Sequence, residues 1–197
     1  FLMVVILGRG GPDYPIYLVI GMINWRWISS TINSSSKAIT GYSSIISQVY
    51  MPKSVFPLAN TFSQMFNFLF GLIVIAIFLI FFGVTPTWHI ILAPFIILVQ
   101  LLFLTAISFL VAYITVFVRD IDNVMRHIVR IIFYTTPVIW EGNRFSEEYD
   151  WIIEYNPVAI LINSLRDVLM YHQLPNIQAL IIIGVISIIL IVLLLNH

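Results

Sequence analysis

Three long apolar runs without a charged side chain constrain this chain more than any other feature of its sequence. They cover Leu58–Gly83, His89–Val118 and Ile177–Leu195. An α-helix needs roughly 20 residues to cross the hydrocarbon core of a bilayer, and each run is long enough. Only 9% of the 197 residues are charged, whereas a soluble domain averages about 25%. The sequence therefore predicts an all-α integral membrane protein and excludes a soluble globular domain and a disordered chain.

Three further runs bring the predicted number of spans to six. Phe1–Leu7 is expected to be the end of a first span that begins outside this sequence, and Tyr14–Ser34 is a semi-polar second span. Asn123–Trp140 is a fifth span with Pro137 near its end, so the three long runs are spans three, four and six. We find no internal repeat, and residues 1–197 are expected to form a single transmembrane domain.

The distribution of basic residues sets the predicted orientation, because cytoplasmic loops are enriched in Lys and Arg. If the first span exits to the outside, the loops after spans two and four and the start of span five are cytoplasmic. These segments carry five basic residues, Lys37, Lys53, Arg119, Arg126 and Arg130, whereas the outer segments carry Arg9, Arg144 and Arg166. The N-terminus, which is expected to lie outside this sequence, and His197 are then cytoplasmic.

Motifs for catalysis and nucleotide binding are missing from the sequence. It contains no G-x-x-x-x-G-K-[ST], no G-x-S-x-G and no H-E-x-x-H. There is no cysteine and the four histidines lack metal-ligand spacing, so we expect no metal and no cofactor in this chain. The carboxylate pairs Asp120/Asp122 and Glu147/Glu148 lie in predicted loops and are interpreted as solvated charge. Nine basic and nine acidic residues cancel, which gives no indication of nucleic-acid binding.

Two predicted spans carry polar residues at helical spacing. The residues are Arg26, Ser29, Ser30 and Asn33 in span two, and Asn60, Ser63, Gln64 and Asn67 in span three. Polar side chains are disfavoured against lipid, so these faces should contact protein or water. Span three leaves two interpretations open, interhelical hydrogen bonding and a substrate path. For Arg26 the alternatives are a functional charge inside the membrane and snorkelling to the interface.

The loop before span three contains a short amphipathic helix pattern. Tyr42, Ile45, Ile46 and Val49 share one face of it, and Pro52 ends it. Such a helix either lies on lipid or docks into a groove of a cytoplasmic partner.

The outer segment between spans five and six has a second helix pattern. Asn156 is a predicted N-cap with Pro157 at the first helical position. Val158–Met170 is too short to cross the membrane and is predicted to be re-entrant or interfacial. One of its faces carries Asn163, Arg166 and Asp167.

The order of several short motifs resembles one family of membrane proteins. The matching residues are Gly21 and Trp25 in span two, Met51–Leu58 entering span three, Val118–Ile121 closing span four, Pro137–Trp140 closing span five, Asn156-Pro157, and Leu165–Asp167. Together they make the chain look like the membrane subunit of an ABC-2-type exporter of polysaccharides or teichoic acids. Among these it is most similar to the wall teichoic acid exporters of Gram-positive bacteria. Family members begin with a cytoplasmic amphipathic helix and a complete first span, which this sequence does not include.

The resemblance implies a permease subunit in the bacterial cytoplasmic membrane that moves a lipid-linked polymer. It implies six transmembrane helices, re-entrant outer helices, a homodimer with a channel between its subunits, and two partner P-loop ATPases that bind ATP and Mg²⁺. The residues expected to couple to the partner are Tyr42, Ile45, Ile46, Val49, Tyr50, Met51, Pro52, Lys53, Arg119 and Asp120. Those expected along the substrate path are Arg26, Asn60, Gln64, Asn67, Arg130, Phe133, Tyr134 and Trp140. Those expected in the outer re-entrant region are Asn156, Pro157, Asn163, Arg166 and Asp167.

Three other classes compete with this interpretation. A secondary transporter would use internal repeats and helices broken at the midplane. A membrane enzyme acting on lipid-linked sugars would need an acid–base pair at depth. A structural membrane scaffold would need neither. The sequence shows neither repeats nor such a pair, and the exporter is favoured.

Overall fold

The computed structural model describes residues 13–38, 41, 52, 54–85, 87–118, 120–140 and 153–195. Within these residues there is no β-strand, and the all-α prediction is confirmed for them. Their α-helices are α1 (Tyr14–Ser35), α2 (Val55–Phe81), α3 (Ala93–Phe117), α4 (Ile121–Thr135), α5 (Pro157–Arg166) and α6 (Ile177–Leu195). A 3₁₀ turn, Trp88–Leu92, leads into α3, and a π-helical turn, Asp167–Tyr171, continues α5.

Three described helices are long and apolar enough to cross a membrane. They are α2, the 3₁₀ turn together with α3 (Trp88–Phe117), and α6. They coincide with the three uncharged runs of the sequence, and α6 has the predicted bounds. The turn after α2 contains Gly83 with a φ of 73°, a left-handed conformation that glycine adopts without strain.

Helices α1 and α4 are more polar than these three. With 22 residues, α1 is long enough to cross the hydrocarbon core. With 15 residues, α4 ends at Thr135, so the predicted helical bound at Trp140 is wrong. Thr136 is extended, with φ −104° and ψ 137°, because a residue that precedes proline disfavours the α region. Residues 136–140 are non-helical, and the count of six spans stays a prediction.

Helix α1 lies at the centre of the described bundle. It contacts α2, α3, α4 and α5, and it buries Ile16 and Ile20 completely. Helix α6 packs against α3 with Leu180 buried between them. The outer faces of α2 and α6 expose large apolar side chains, including Ile80 and Ile182. One-sided burial of such apolar helices is typical of helices whose other side contacts lipid.

Two close contacts fix the axial position of α1 relative to α2. The rings of Trp27 and Phe68 stack with their centroids 4.3 Å apart. One turn further along α2, a Cβ atom at Gly71 would lie 2.5 Å from Cγ2 of Ile23, so only glycine permits this approach. Phe68 is the middle residue of α2, Val55–Phe81. The centre of α1 therefore lies level with the centre of a helix that can cross the membrane.

Candidate functional site

An open groove between α1 and α2 brings together residues of both polar stripes. We call it the α1–α2 groove; its volume is about 520 Å³. Its polar and aromatic lining comprises Arg26, Trp27, Ser30, Gln64, Asn67, Phe68 and Phe70. The groove lies beside the Trp27–Phe68 stack and hence at the middle of α2.

The α1–α2 groove is rich in hydrogen-bond donors. Arg26 and Asn67 are exposed and Gln64 is half-buried. The Asn67 amide Nδ2 donates to Oε1 of Gln64 at 3.4 Å. The indole N–H of Trp27 is buried and has no hydrogen-bond partner among the described residues. A guanidinium with several amide donors suits phosphate and hydroxyl groups, so this groove offers hydrogen bonds to groups of that kind.

Asn60 has a different environment from Gln64 and Asn67, although all three belong to one predicted stripe. Its Nδ2 donates to Oγ of Ser35 at 3.3 Å, and Ser35 in turn donates to Oγ of Ser108 at 2.7 Å. Asn60 therefore takes part in hydrogen bonding between α1, α2 and α3. Asn60 thus bonds between helices and also borders a second open pocket with Ser34 and Ser63, whereas Gln64 and Asn67 line the α1–α2 groove.

The predicted path residues of α4 also divide between surface and packing. Arg130 is exposed, and Tyr134, one turn further, exposes 69% of its surface. Phe133 instead packs against Trp25 of α1, with ring centroids 5.3 Å apart. Trp140 is half-buried in the non-helical segment after α4. Of these four residues, Arg130 and Tyr134 present the more open surface.

At the end of the bundle that is predicted to be cytoplasmic, which we call the inner end, Asp122 connects α1 to α4. Its Oδ1 accepts a hydrogen bond from Oγ of Ser36 at 2.8 Å, and its Oδ2 lies 2.5 Å from Nη2 of Arg126 and 3.4 Å from Nζ of Lys37. The Ser36 hydrogen bond, followed by Arg126 and Lys37, lowers the pKa of Asp122 against the opposing effect of burial. The interpretation of Asp122 as a solvated loop residue is therefore wrong, because it lies in the first turn of α4 and joins two helices.

The neighbouring Asp120, predicted to couple to a partner, is exposed and accepts a hydrogen bond from Nδ2 of Asn123 at 2.5 Å. Pro52 is also exposed. The other predicted coupling residues lie outside the described residues: Tyr42, Ile45, Ile46, Val49, Tyr50, Met51, Lys53 and Arg119.

At the opposite end, which is predicted to face outside, Arg166 of α5 is the centre of a buried hydrogen-bond cluster, which we call the outer clamp. The side chain is 1% exposed. Nη1 donates to the carbonyl of Pro137 at 2.6 Å and to Oδ1 of Asn163 at 3.2 Å. Nη2 donates to the carbonyls of Val138 at 2.9 Å and Tyr17 at 3.1 Å. The guanidinium also lies 3.5 Å from the centroid of the Tyr17 ring, in cation–π geometry.

Two tyrosines of α1 complete the outer clamp. The Tyr14 hydroxyl donates to the carbonyl of Ile139 at 2.7 Å. The Tyr17 hydroxyl lies 2.7 Å from the carbonyl of Trp140 and 3.1 Å from that of Pro137. A non-helical segment has no helical partners for its carbonyls, and unpaired backbone groups are strongly disfavoured away from water. Side chains of α1 and α5 therefore donate hydrogen bonds to the backbone carbonyls of residues 137–140, which follow the end of α4.

Asn156 fixes the start of α5 against the same segment. Its Oδ1 accepts from the backbone N–H of Val158 at 3.0 Å and of Ala159 at 3.4 Å, which confirms the predicted N-cap with Pro157 in the first turn. Its Nδ2 donates to Oγ1 of Thr136 at 3.0 Å. Asp167 follows in the π-helical turn and is half-buried.

Gly21 lies directly against the outer clamp. A Cβ atom at this position would collide with Nη2 of Arg166 and lie 2.7 Å from the carbonyl oxygen of Val138. Some of the residues that carry the family resemblance thus meet in one place: Gly21, Pro137–Trp140, Asn156-Pro157 and Leu165–Asp167. Their shared pattern reflects a single three-way contact between α1, the segment after α4, and α5.

Sequence reasoning missed two residues that pair in the interior of the bundle. Nε2 of Gln100 in α3 donates to Oδ1 of Asn24 in α1 at 2.6 Å, and both side chains are fully buried. Neither residue belongs to a periodic polar stripe. The signal for Gln100 was its isolation, since a single amide in an apolar span is typical of interhelical bonding. Among the described residues, no group of three His, Asp or Glu side chains is placed to hold a metal ion.

Comparison with known proteins agrees with this architecture. The sequence matches the family described as ABC-2 type transporter over residues 3–170. This chain belongs to that family, so it is a membrane permease component of the ABC-2 class.

Three relatives are permeases of export systems. The chain is 26% identical over 191 residues to the O-antigen export system permease protein RfbA of Myxococcus xanthus, covering 96% of this chain and 74% of the relative. It is 32% and 31% identical over 163 residues to two O-antigen export system permease proteins RfbA of Klebsiella pneumoniae, covering 81% of this chain and 62% of each relative. The chain thus spans between 62% and 74% of the length of these relatives.

Proposed function

We propose that this chain is the permease subunit of an ATP-driven exporter that carries a lipid-linked cell-surface polysaccharide across the bacterial cytoplasmic membrane. Family membership supports the permease class. The ATPase partner, the homodimer and the nature of the polymer are parts of the proposal.

The position of Arg26 is the observation that carries the proposal. It is exposed in the α1–α2 groove beside Trp27, whose ring stacks on the middle residue of α2. A charged side chain at the centre of a membrane-crossing bundle is disfavoured against lipid by about 2.5 kcal/mol or more. Such a residue faces protein or an aqueous path. Together with Gln64 and Asn67 it offers donors to the phosphates and hydroxyls of a passing polymer.

Helix α4 supports a second lining surface. Arg126, Arg130 and Tyr134 follow each other at four-residue spacing, and all three are exposed. An aromatic face for sugar rings and donors for phosphate form a lining along which a polymer moves without one deep trap. In a homodimer, two such faces opposed across the symmetry axis would line a channel.

ATP hydrolysis is assigned to a separate subunit, because the sequence has no P-loop. We propose that this subunit docks on the amphipathic segment carrying Ile45 and Ile46, which follows α1 in the sequence, and binds ATP and Mg²⁺ itself.

The names of the relatives favour an O-antigen type of polysaccharide, whereas the sequence motifs favoured a teichoic acid. Both are polymers carried on a lipid, and family membership supports neither one over the other. A direct comparison of the two polymers as cargo is therefore part of the test.

The test is ATP-dependent transport by the full-length protein reconstituted with its ATPase in vesicles, using lipid-linked O-antigen and lipid-linked teichoic acid as separate cargoes. We expect one polymer to appear on the far side only with ATP and both subunits. Transport of neither cargo, or ATP hydrolysis by the purified permease alone, would contradict the proposal.

The docking helix is tested by replacing Ile45 and Ile46 with Asp, which would bury two charges in an apolar contact. We expect loss of ATPase binding and of transport. Ser43 and Ser44 provide the matched control, because they lie on the polar face of the same segment. Survival of assembly and transport in the Ile variant would leave the segment as a lipid-surface anchor.

A further inference from the structure

We propose that α1 and α4 form a strut that moves as one body, and that Asp122 and Arg166 are the positioning residues that fix its two ends. The strut would carry a displacement at the inner end of α1 to α5 on the outer side. Its transmitting role and its transport readout rest on the proposed export function. The contacts that define it are independent of the cargo.

The inner end of the strut is a junction of four side chains. Asp122 in the first turn of α4 contacts Ser36 and Lys37, which directly follow α1, and Arg126 one turn along α4. The basic side chains are more than half exposed, at 58% and 68%. Exposed ion pairs contribute little energy, so this junction sets the geometry of the two helix ends more than their stability.

The middle of the strut is an aromatic contact. The Trp25 and Phe133 rings lie 5.3 Å apart at an angle of 52°, within the range in which aromatic pairs attract. Trp25 therefore holds α4 on one side of α1, while the neighbouring Trp27 stacks on Phe68 of α2.

The outer end of the strut is the outer clamp, which is held by buried hydrogen bonds and not by exposed ion pairs. The Arg166 guanidinium is buried and donates to backbone carbonyls of both α1 and the segment after α4. Hydrogen bonds from a buried charged donor are about twice as strong as neutral ones. Sliding of α1 against α4 would break several of them together and leave carbonyls unpaired. The outer clamp therefore makes α1, the segment after α4, and α5 one body.

The proposed docking segment follows α1 in the sequence, so the strut would receive a displacement from this segment. Helix α1 ends at Ser35, ten positions before Ile45 of the proposed docking segment. A partner that displaces this segment would displace α1 and, through the junction at Asp122 and the outer clamp, also α4 and α5. The outer helix α5 then moves without any hinge within α1, which has no proline after its first turn.

A cross-link tests the strut in the cysteine-free chain. Trp25 and Phe133 are both replaced by Cys in the full-length permease, assembled with its ATPase and joined with a short, reducible bifunctional thiol reagent. We expect ATP-dependent transport to be unchanged by the cross-link, because the two helices do not move relative to each other. Transport that stops on cross-linking and returns on reduction would overturn the strut. The single-Cys variants treated with the same reagent control for simple modification.

Hydrogen exchange of the purified full-length permease provides a second test that needs no transport. Tyr17→Phe keeps the ring under Arg166 but removes the hydroxyl from the carbonyls of Pro137 and Trp140. We expect roughly fivefold faster exchange in residues 136–140, the effect of one lost hydrogen bond, and faster exchange also at Ser36 and Asp122 at the far end. The exposed Met22, changed to Ala, is the matched control on α1. If exchange becomes faster only around residues 136–140, Arg166 acts only on its neighbours, and the proposal that α1 and α4 move as one body is wrong.

The two tests separate the failure of the strut from the failure of the proposed function. If the uncross-linked double variant and the parent both fail to transport with ATP, the export function is wrong while the exchange result still decides the strut. If transport occurs and the cross-link blocks it, the export function holds and the strut is wrong.

Discussion

The guanidinium of Arg166 occupies the space that a side chain on Gly21 would fill. No Cβ atom fits between Nη2 of Arg166 and the backbone of α1 at this position, and the carbonyl oxygen of Val138 would lie 2.7 Å away. A residue near the end of the described outer helix thus depends on the absence of a side chain near the start of the described chain. Each of the two residues restricts substitutions at the other.

Gly21→Ala should destabilise the protein by about 1–3 kcal/mol, the usual effect of overpacking a filled site. Thermal unfolding in detergent measures it. Gly184→Ala is the matched control, because it gives the same gain in helix propensity and its Cβ would meet only Cγ2 of Val99 at 4.0 Å. Equal melting temperatures for the two variants would contradict the contact between Gly21 and Arg166.

Arg166→Lys should also be destabilising, although the charge is kept. A lysine ammonium has no planar fork and cannot donate to the carbonyls of Tyr17, Pro137 and Val138 together. Losing charge-assisted hydrogen bonds in a buried site should lower the free energy of unfolding by roughly 2–4 kcal/mol. Arg130→Lys on the exposed face of α4 is the control and should change it by less than about 0.5 kcal/mol. Chemical denaturation of both variants compares them.

Asp122→Asn should weaken the inner junction in a pH-dependent way. Since the pKa of Asp122 is lowered in the folded protein, its contribution is present above the ordinary Asp pKa of about 3.9 and is lost as the pH falls through the lower folded value. The stability difference between parent and variant should be below about 1 kcal/mol, constant from about pH 5 to 8, and should vanish at lower pH. Asp120→Asn, at an exposed carboxylate bonded to Asn123, is the comparison. A stability difference between parent and variant that grows as the pH falls would contradict the lowered pKa of Asp122.

A cysteine at position 67 should react with a water-soluble thiol reagent much faster than one at position 77. Asn67 lines the α1–α2 groove, whereas Ile77 exposes 59% of its surface on the apolar end of α2. If the groove is hydrated, the reactive thiolate forms at 67 and not in lipid at 77. We expect at least about a tenfold difference in labelling rate in membranes. Equal slow labelling at both sites would place Asn67 in lipid or protein contact.

Cysteines at 134 and 133 should differ in the same way. Tyr134 is 69% exposed, while Phe133 packs on Trp25. A channel-facing α4 predicts labelling at 134, block of transport by the label, and protection at 133. Labelling at 133 alone would indicate that the substrate path follows the opposite face of α4.

The sequence predicted the apolar helices well because their signal is local. The bounds of α6 follow from hydropathy alone, and the cap of α5 follows from Asn156 beside Pro157. The hydropathy pattern predicts too late an end for α4 because the apolar run continues through Pro137, and only the backbone restriction at Thr136 stops the helix. The loop assignment of Asp122 is wrong for a related reason, since the pattern predicts a start at Asn123 whereas α4 begins at Ile121.

Contacts between distant parts of the chain were beyond sequence reasoning. Arg166 and Tyr17 are separated by 149 positions, and nothing in either local pattern indicates the other. Family resemblance selected Gly21, Pro137 and Arg166 as notable residues, but only the structure explains them through one shared contact. Residues Asn24 and Gln100 lacked even that indication.

The buried pair of Asn24 and Gln100 has a consequence for how the protein is made. These residues are 76 positions apart, so α1 leaves the ribosome well before its partner in α3 exists. Until then, α1 must hold Asn24 and Arg26 in or near the membrane without its amide partner, and polar residues at the centre of a helix oppose stable insertion. The hydrogen bond to Gln100 relieves part of that penalty once α3 arrives. If α1 is the predicted second span, we expect its stable integration to wait for α3, and a chain truncated before Gln100 should leave α1 poorly inserted.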